Sequence, residues 1–419
     1  MSVHGITIPP HYASVGLQQL LTGEGLPPLR LSAPSLSDLP NGPGSTLACL
    51  SLAALLVADA RGNYVVLVAG PSEHEPGLRL EVAGLPVEAA QAVHTELDVL
   101  RSRLNVYRGH VLDVALMPMG GVALTFTGAP VTTRADVVLP EAVLARVERH
   151  ALGVALHREA LLAAGQHLKR GILLYGPPGT GKTHTTRYLL GQMSGYTRLL
   201  LTGRALHAVG PVTELARDLQ PSVLVLEDVD LVAEDRSFGP GSSPVLFDLL
   251  DAMDGAAPDA DLLFLLTTNR SDLLEPALAA RPGRVDVAVG IDLPDEHARR
   301  RLLAVYGRAV PLNLSEPEID EVVRRSDGVT ASFLKELLRR AVLESLSDAS
   351  PLRVVDATHM SRALDDLLDS RQQVTRSLLG VCGGPGNLPD GGIGSVPSGE
   401  QFGWTSYTSM PGRSRRFGH

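Results

Sequence analysis

Eight residues, Gly176-Pro177-Pro178-Gly179-Thr180-Gly181-Lys182-Thr183, constrain this chain more than any other stretch. They fit G-x-x-x-x-G-K-[ST], the spacing of a phosphate-binding loop. Glycines let the backbone curl so that its N–H groups converge on phosphate oxygens. Gly171 to Tyr175, just before, reads as a short buried strand, and His184 to Leu190, just after, continues as a helix. A helix N-terminus at that point adds partial positive charge. In such a loop Lys182 reaches the β- and γ-phosphates, and the Thr183 hydroxyl holds Mg²⁺.

Strand and helix patterns alternate around this loop. Thr197–Leu201, Val223–Leu226, Leu262–Leu266 and Val285–Val289 read as strands, and Val212–Leu219 and Val245–Met253 as helices. The alternation implies α/β architecture, a parallel sheet flanked by helices. Pro140 to Ala164 is helical and leads into the loop. Beyond Pro294 only helical patterns follow: Asp295–Arg308, Glu316–Arg325, Ala331–Leu346 and Asp356–Leu368. Upstream, Tyr64–Val68, Leu78–Val82, Val111–Leu116 and Val122–Phe126 read as strands and Glu88–Leu104 as a helix. The expected organisation is an α+β N-terminal domain at 1–135, an α/β nucleotide-binding unit at 136–293 and a helical lid at 294–370. A Gly/Pro/Ser-rich tail at 371–419 is expected to be disordered, with Trp404 and the arginines 413, 415 and 416 as docking points.

Three more segments bear on the phosphate loop. Val223 to Leu226 ends in Glu227-Asp228, about 45 residues downstream. Acids at the C-terminal end of a strand stand where open α/β sheets bind ligands. One carboxylate, Glu227, can support the metal through its waters; the next, Asp228, can polarise an attacking water. The strand 262–266 ends in Thr267-Thr268-Asn269, whose amide can contact the γ-phosphate and the water. Farther on, Arg281-Pro282-Gly283-Arg284 holds two guanidinium groups on a turn, and their planar fork suits a phosphoryl transition state.

These elements, in this order, resemble the AAA branch of AAA+ ATPases over about residues 140–370. The run 174–183 resembles the Walker A motif, and Thr267-Thr268-Asn269 with Arg281-Pro282-Gly283-Arg284-Val285-Asp286 resembles the second region of homology. The resemblance implies ATP and Mg²⁺ as ligands, Asn269 as sensor 1, and Arg281 and Arg284 as fingers reaching a neighbour's nucleotide. It also implies adenine-side contacts from Tyr306, the 328–332 segment, Val154 and Ala155. A head-to-tail finger contact, repeated, closes a ring, usually a hexamer in this family.

The sequence departs from the family twice. Glu227-Asp228 reverses the usual Asp-Glu order, so the catalytic carboxylate is one methylene shorter. At the pore-loop position, Leu206 to Gly210 offers Ala208 or Val209 where unfoldases present a bulky residue, which sets threading in question.

The charge of −9 and the absence of a long basic run argue against a nucleic-acid partner. Two cysteines, Cys49 and Cys382, suit a reducing compartment. Thr46–Val57 is too short to span a bilayer as a helix, and no signal-peptide pattern opens the chain, so a cytoplasmic location is expected. No H-E-x-x-H or C-x-x-C occurs. The expected function is an ATP-hydrolysing ring motor that remodels a macromolecular client through 1–135. The alternative is a nucleotide-gated assembly switch or scaffold with little hydrolysis.

Overall fold

The computed structural model describes residues 2–7, 16–22, 30–70, 78–117, 121–230, 249, 251–253, 255, 260–270, 285–348 and 354–369. Arg281, Arg284 and the 371–419 tail lie outside the described residues, as does most of the helix expected at 245–253.

A six-stranded antiparallel sheet opens the chain: β1 (Ser2–Thr7), β2 (Arg30–Ser32), β3 (Ser35–Gly42), β4 (Ser45–Asp59), β5 (Gly62–Ala69) and β6 (Arg79–Ala83). Its order is β2-β1-β4-β5-β6, with β3 along β4. The apolar run 46–57 is thus a strand. Alternation along β5 sends successive side chains to opposite faces. Tyr64 and Val66 pack with Val93 of α2 (Val87–Arg103), whereas Leu67 packs with Leu17 of α1 (Leu17–Thr22).

The next hairpin, β7 (Val111–Leu116) and β8 (Val122–Thr127), does not stay with that domain. It joins a seven-stranded sheet with β9 (Arg170–Tyr175), β10 (Thr197–Thr202), β11 (Ser222–Glu227), β12 (Leu262–Thr268) and β13 (Val287–Gly290). The order is β13-β9-β12-β11-β10-β7-β8, parallel throughout except for β8. Residues 111–127, assigned from the sequence to the N-terminal domain, therefore extend the seven-stranded sheet. Alternating apolar residues report one buried face, not which sheet they join. An open β10 edge would leave N–H and C=O groups unpaired, and β7 satisfies them. Arg108 fixes the junction: its guanidinium donates to Ser102 O, Gln220 O and Asp218 O, tying the end of α2 to the sheet's lower rim.

The central strands are apolar without alternation because both faces are covered. Leu224, Leu226, Phe264 and Leu266 pack on the side of α7 (Val209–Asp218). Val223, Val225, Leu263 and Leu265 pack on the other side, with Tyr188 and Leu189 of α6 (Lys182–Gln192).

Beyond Pro294, helices Glu296–Tyr306, Glu316–Arg325, Ala331–Asp348 and Ala357–Leu368 enclose their own core around Phe333, Leu337 and Leu364. Asp295 caps the first, its carboxylate accepting from Ala298 N–H. The lid is not purely helical. A short parallel pair, β14 (Leu312–Asn313) with β15 (Val355–Asp356), joins two of its connections.

Among the described residues an ion pair links the lid to the base: Arg308 meets Asp136. The Thr133 hydroxyl and N–H, with Arg308, hold the Asp136 carboxyl down at about 2. A carboxylate with a lowered value stabilises the fold at pH above its ordinary 3.8, and that contribution is lost as pH falls toward about 2. Thermal unfolding of Asp136→Asn should accordingly sit below the native protein at neutral pH. The two melting temperatures should converge as the pH drops through that window.

Candidate nucleotide-binding site

The loop 176–183 runs from the C-terminal end of β9 into α6. Gly176, Gly179 and Gly181 have φ of 144°, 77° and 110°, a region that residues with a Cβ seldom occupy. At Gly176 space is also closed, since a Cβ would lie 2.2 Å from Ile291 O. Gly176→Ala should lower ATP affinity by about a hundredfold, given strain of about 1–3 kcal/mol plus the clash. Gly195→Ala, where a Cβ meets nothing within 4 Å, is the control and should leave affinity unchanged in the same titration.

Lys182 is buried, and its ammonium donates to Gly176 O and Pro177 O, each at 2.8 Å. Burial pushes its pKa down, while the charges of Asp228 and Asp230 pull it back up. Thr180 Oγ1 closes the turn by donating to Pro177 O at 2.9 Å. Pro178 lies in the same turn and leaves no amide hydrogen there to satisfy. The lid reaches the loop directly, Ser332 N–H donating to Gly179 O at 3.0 Å.

β11 and β12 bring the second half of the site alongside. Glu227, half-buried at the end of β11, has its carboxyl raised, first by burial and then by the Asp228 charge, with Arg187 and the Thr183 hydroxyl acting in opposition. Asp228 follows with φ of 51°, the one non-glycine residue of positive φ among those described. Asn269 Nδ2 donates to Asp228 Oδ1 at 3.3 Å, so the expected water-activating acid and sensor amide do meet. Asp286 pins the base of β9 by accepting from Gly171 N–H at 2.8 Å.

A cleft opens beside the loop between base and lid. Val138 and Leu139 line one wall, Ala298 and Leu302 the other, with Thr180 and Ala331 between them. Of the adenine-side candidates, Ala331, within 328–332, lies on this cleft. Tyr306 does not line it: it packs one turn beyond Leu302 against the lid core, where burial raises its phenol. Val154 and Ala155 are also absent from the lining, and Ala155 packs against the base core. Val138 and Leu139 were missed because an apolar pair ahead of a helix reads as ordinary core.

Asp230 was missed as well. It is buried, accepting from Thr268 Oγ1 at 2.9 Å and Asn269 N–H at 3.0 Å. The only sequence signal was a third acid two positions past Asp228. The pore-loop candidates are folded inward: Ala208 and Val209 are buried in the core between β10 and α7, while His207 is exposed.

The cradle fits a triphosphate: a glycine backbone curled to positive φ, and a buried ammonium that, among the described residues, donates to the Gly176 and Pro177 carbonyls. Thr183 and Glu227 form an oxygen donor pair suited to Mg²⁺. A P-loop sheet with a C-terminal lid defines a nucleotide-binding protein of the P-loop class.

Residues 172–293 match the family described as "ATPase family associated with various cellular activities (AAA)". The 172–293 segment is thus an AAA ATPase domain. It is 34% identical over 219 residues to the ATP-dependent zinc metalloprotease FtsH of Nitrosococcus oceani, covering 49% of this chain and 34% of that protein. To the FtsH of Cutibacterium acnes it is 30% identical over 225 residues, 51% of this chain and 31% of that protein. The human ATPase family gene 2 protein homolog A is 31% identical over 221 residues, 50% of this chain and 24% of that protein. The chain thus spans about a third of the length of the FtsH relatives it matches. No described helix is long and apolar enough to cross a membrane.

Proposed function

We propose that this chain binds Mg-ATP in the 176–183 cradle, hydrolyses it, and uses the turnover to remodel a macromolecular partner held through the N-terminal domain. The observation that carries the reading is the convergence of Lys182, Asp228 and Asn269 at the C-terminal ends of three adjacent strands. The loop amides and Lys182 hold the phosphates. Thr183 and Glu227 hold the metal, which supplies charge neutralisation on the phosphate oxygens. Asp228 accepts the proton of the attacking water, and Asn269 orients that water. Arg281 and Arg284 act on the nucleotide of the next copy in a ring, probed by turnover that rises with protein concentration and falls in Arg284→Ala. The proposed setting is cytoplasmic, without a nucleic-acid partner.

Steady-state phosphate release tests the reading. Turnover should be present in the native chain and absent in Lys182→Ala. Equal signals from the two proteins, or none from either at any concentration, would remove it.

The buried Ala208 and Val209 favour a second reading, in which ATP gates assembly and no chain is threaded. Assembly driven by ATP without phosphate release would select it.

A further inference from the structure

We propose that Thr267 and Asp230 are positioning residues that lock Asp228 and Asn269 into one unit, and that this lock is how the chain works with the shorter carboxylate of its Glu-Asp order. The inference rests on the hydrolytic reading above and deepens it.

The contacts form a closed set across the ends of β11 and β12. Thr267 is fully buried, and its Oγ1 accepts the Asp228 N–H at 3.0 Å. Its carbonyl accepts the Val229 N–H at 3.0 Å. One residue on β12 therefore holds two successive amides of the turn that carries Asp228. Asp230, in return, reaches from that turn to β12. Its Oδ1 accepts from the Thr268 hydroxyl at 2.9 Å and from Asn269 N–H at 3.0 Å, and its Oδ2 lies 3.5 Å from Asn269 Nδ2. The other contact of that amide is Asp228 Oδ1. With both donors directed at acids, Asn269 Oδ1 is left as the acceptor for a water hydrogen.

The backbone at Asp228 is the reason such a lock is needed. At φ of 51° it sits in the left-handed region, which disfavours most side chains but is accessible to Asp and Asn. Such a conformation persists when its surroundings over-determine it. The bend changes where the side chain leaves the strand, and a carboxylate one methylene short then meets Asn269. A longer acid gains reach at this position but loses backbone compatibility. Asp228→Glu, which would place glutamate at the family's usual position, should thus be slower than the native chain.

Thr267→Val keeps the β-branched shape and removes the acceptor; Asp230→Asn keeps the volume and removes the charge. Each should retain Mg-ATP affinity and lower kcat, by about a hundredfold if Asp228 shifts by about 1 Å. Asp230→Asn combined with Asn269→Ala should lose little more than either change alone. Additive losses, or an Asp228→Glu protein faster than native, would overturn the inference. Crystal structures of Thr267→Val and Asp230→Asn decide the matter without turnover. Asp228 should leave positive φ in the first and the Asn269 amide should turn in the second; native geometry in both would overturn the lock. An inactive native chain would sink the hydrolytic reading, while these two structures still judge the lock.

Discussion

Asp228→Asn should bind Mg-ATP within a few-fold of the native affinity and hydrolyse it about 10²–10⁴ times more slowly, the range that a positioned general base contributes. The two effects separate because the substitution changes one thing. Asparagine tolerates the left-handed φ of 51° at this position, so the turn after β11 is kept. Its side-chain oxygen can still accept from Asn269 Nδ2, which stands 3.3 Å from Asp228 Oδ1. What it cannot do is take a proton from water. The phosphate cradle and Lys182 lie on β9 and α6, and they keep their contacts with Gly176 O and Pro177 O until nucleotide arrives. A single-turnover measurement beside an equilibrium titration reads both quantities. Loss of affinity in proportion to loss of rate would mean that Asp228 belongs to ground-state binding instead.

Asp261→Ala should destabilise the nucleotide-binding unit by about 3–5 kcal/mol, although it stands at the far end of the sheet from the chemistry. Asp261 is only 1% exposed. It meets Arg170 and Arg158, each at 3.1 Å, and accepts from the Tyr196 hydroxyl at 2.9 Å. Gln220 Oε1 in turn accepts the Asp261 N–H at 3.0 Å. Four segments, 158–170, 196, 220 and 261, thus meet at one carboxylate. Removing it leaves the Arg170 guanidinium, itself 6% exposed, without a counter-charge. Arg158→Ala is the contrasting case. Its side chain is 48% exposed, so solvent screens the pair, and the loss should stay within about 1 kcal/mol. Urea unfolding of the three proteins at matched slope gives the comparison. Equal midpoints for Asp261→Ala and the native chain would show that the cluster contributes nothing net.

The features legible in the sequence were those that local physics writes into adjacent residues. The loop needs glycine where φ is positive, and Gly176, Gly179 and Gly181 stand at those places. Strands 170–175, 222–227 and 262–268 are buried on both faces, so they read as unbroken apolar runs. Asp228 and Asn269 could be paired in advance because parallel strands bring their C-terminal ends to one edge.

Features that depend on which distant surface a side chain meets were not legible. The 111–127 hairpin alternates as any half-covered strand does, and only its pairing with β10 assigns it to the second sheet. Asp230 looks like a solvated acid until β12 is laid beside it. Tyr306 has the chemistry to stack on a base, yet the lid's own core takes it, and the smaller Leu302 lines the cleft one turn earlier. Ala208 and Val209 read as a weak pore grip and are instead packing residues at the entry to α7. Which distant surface covers a side chain is a tertiary property, and a short segment cannot report it.

The central claim is that a triphosphate sits in the curl of residues 176–183. A crystal structure of the chain with Mg²⁺ and a nonhydrolysable ATP analogue tests it most directly. The account predicts phosphate oxygens within hydrogen-bonding distance of the loop amides, and Lys182 turned from Gly176 O and Pro177 O onto the phosphates. Nucleotide bound elsewhere, with Lys182 still held by those two carbonyls, would contradict it.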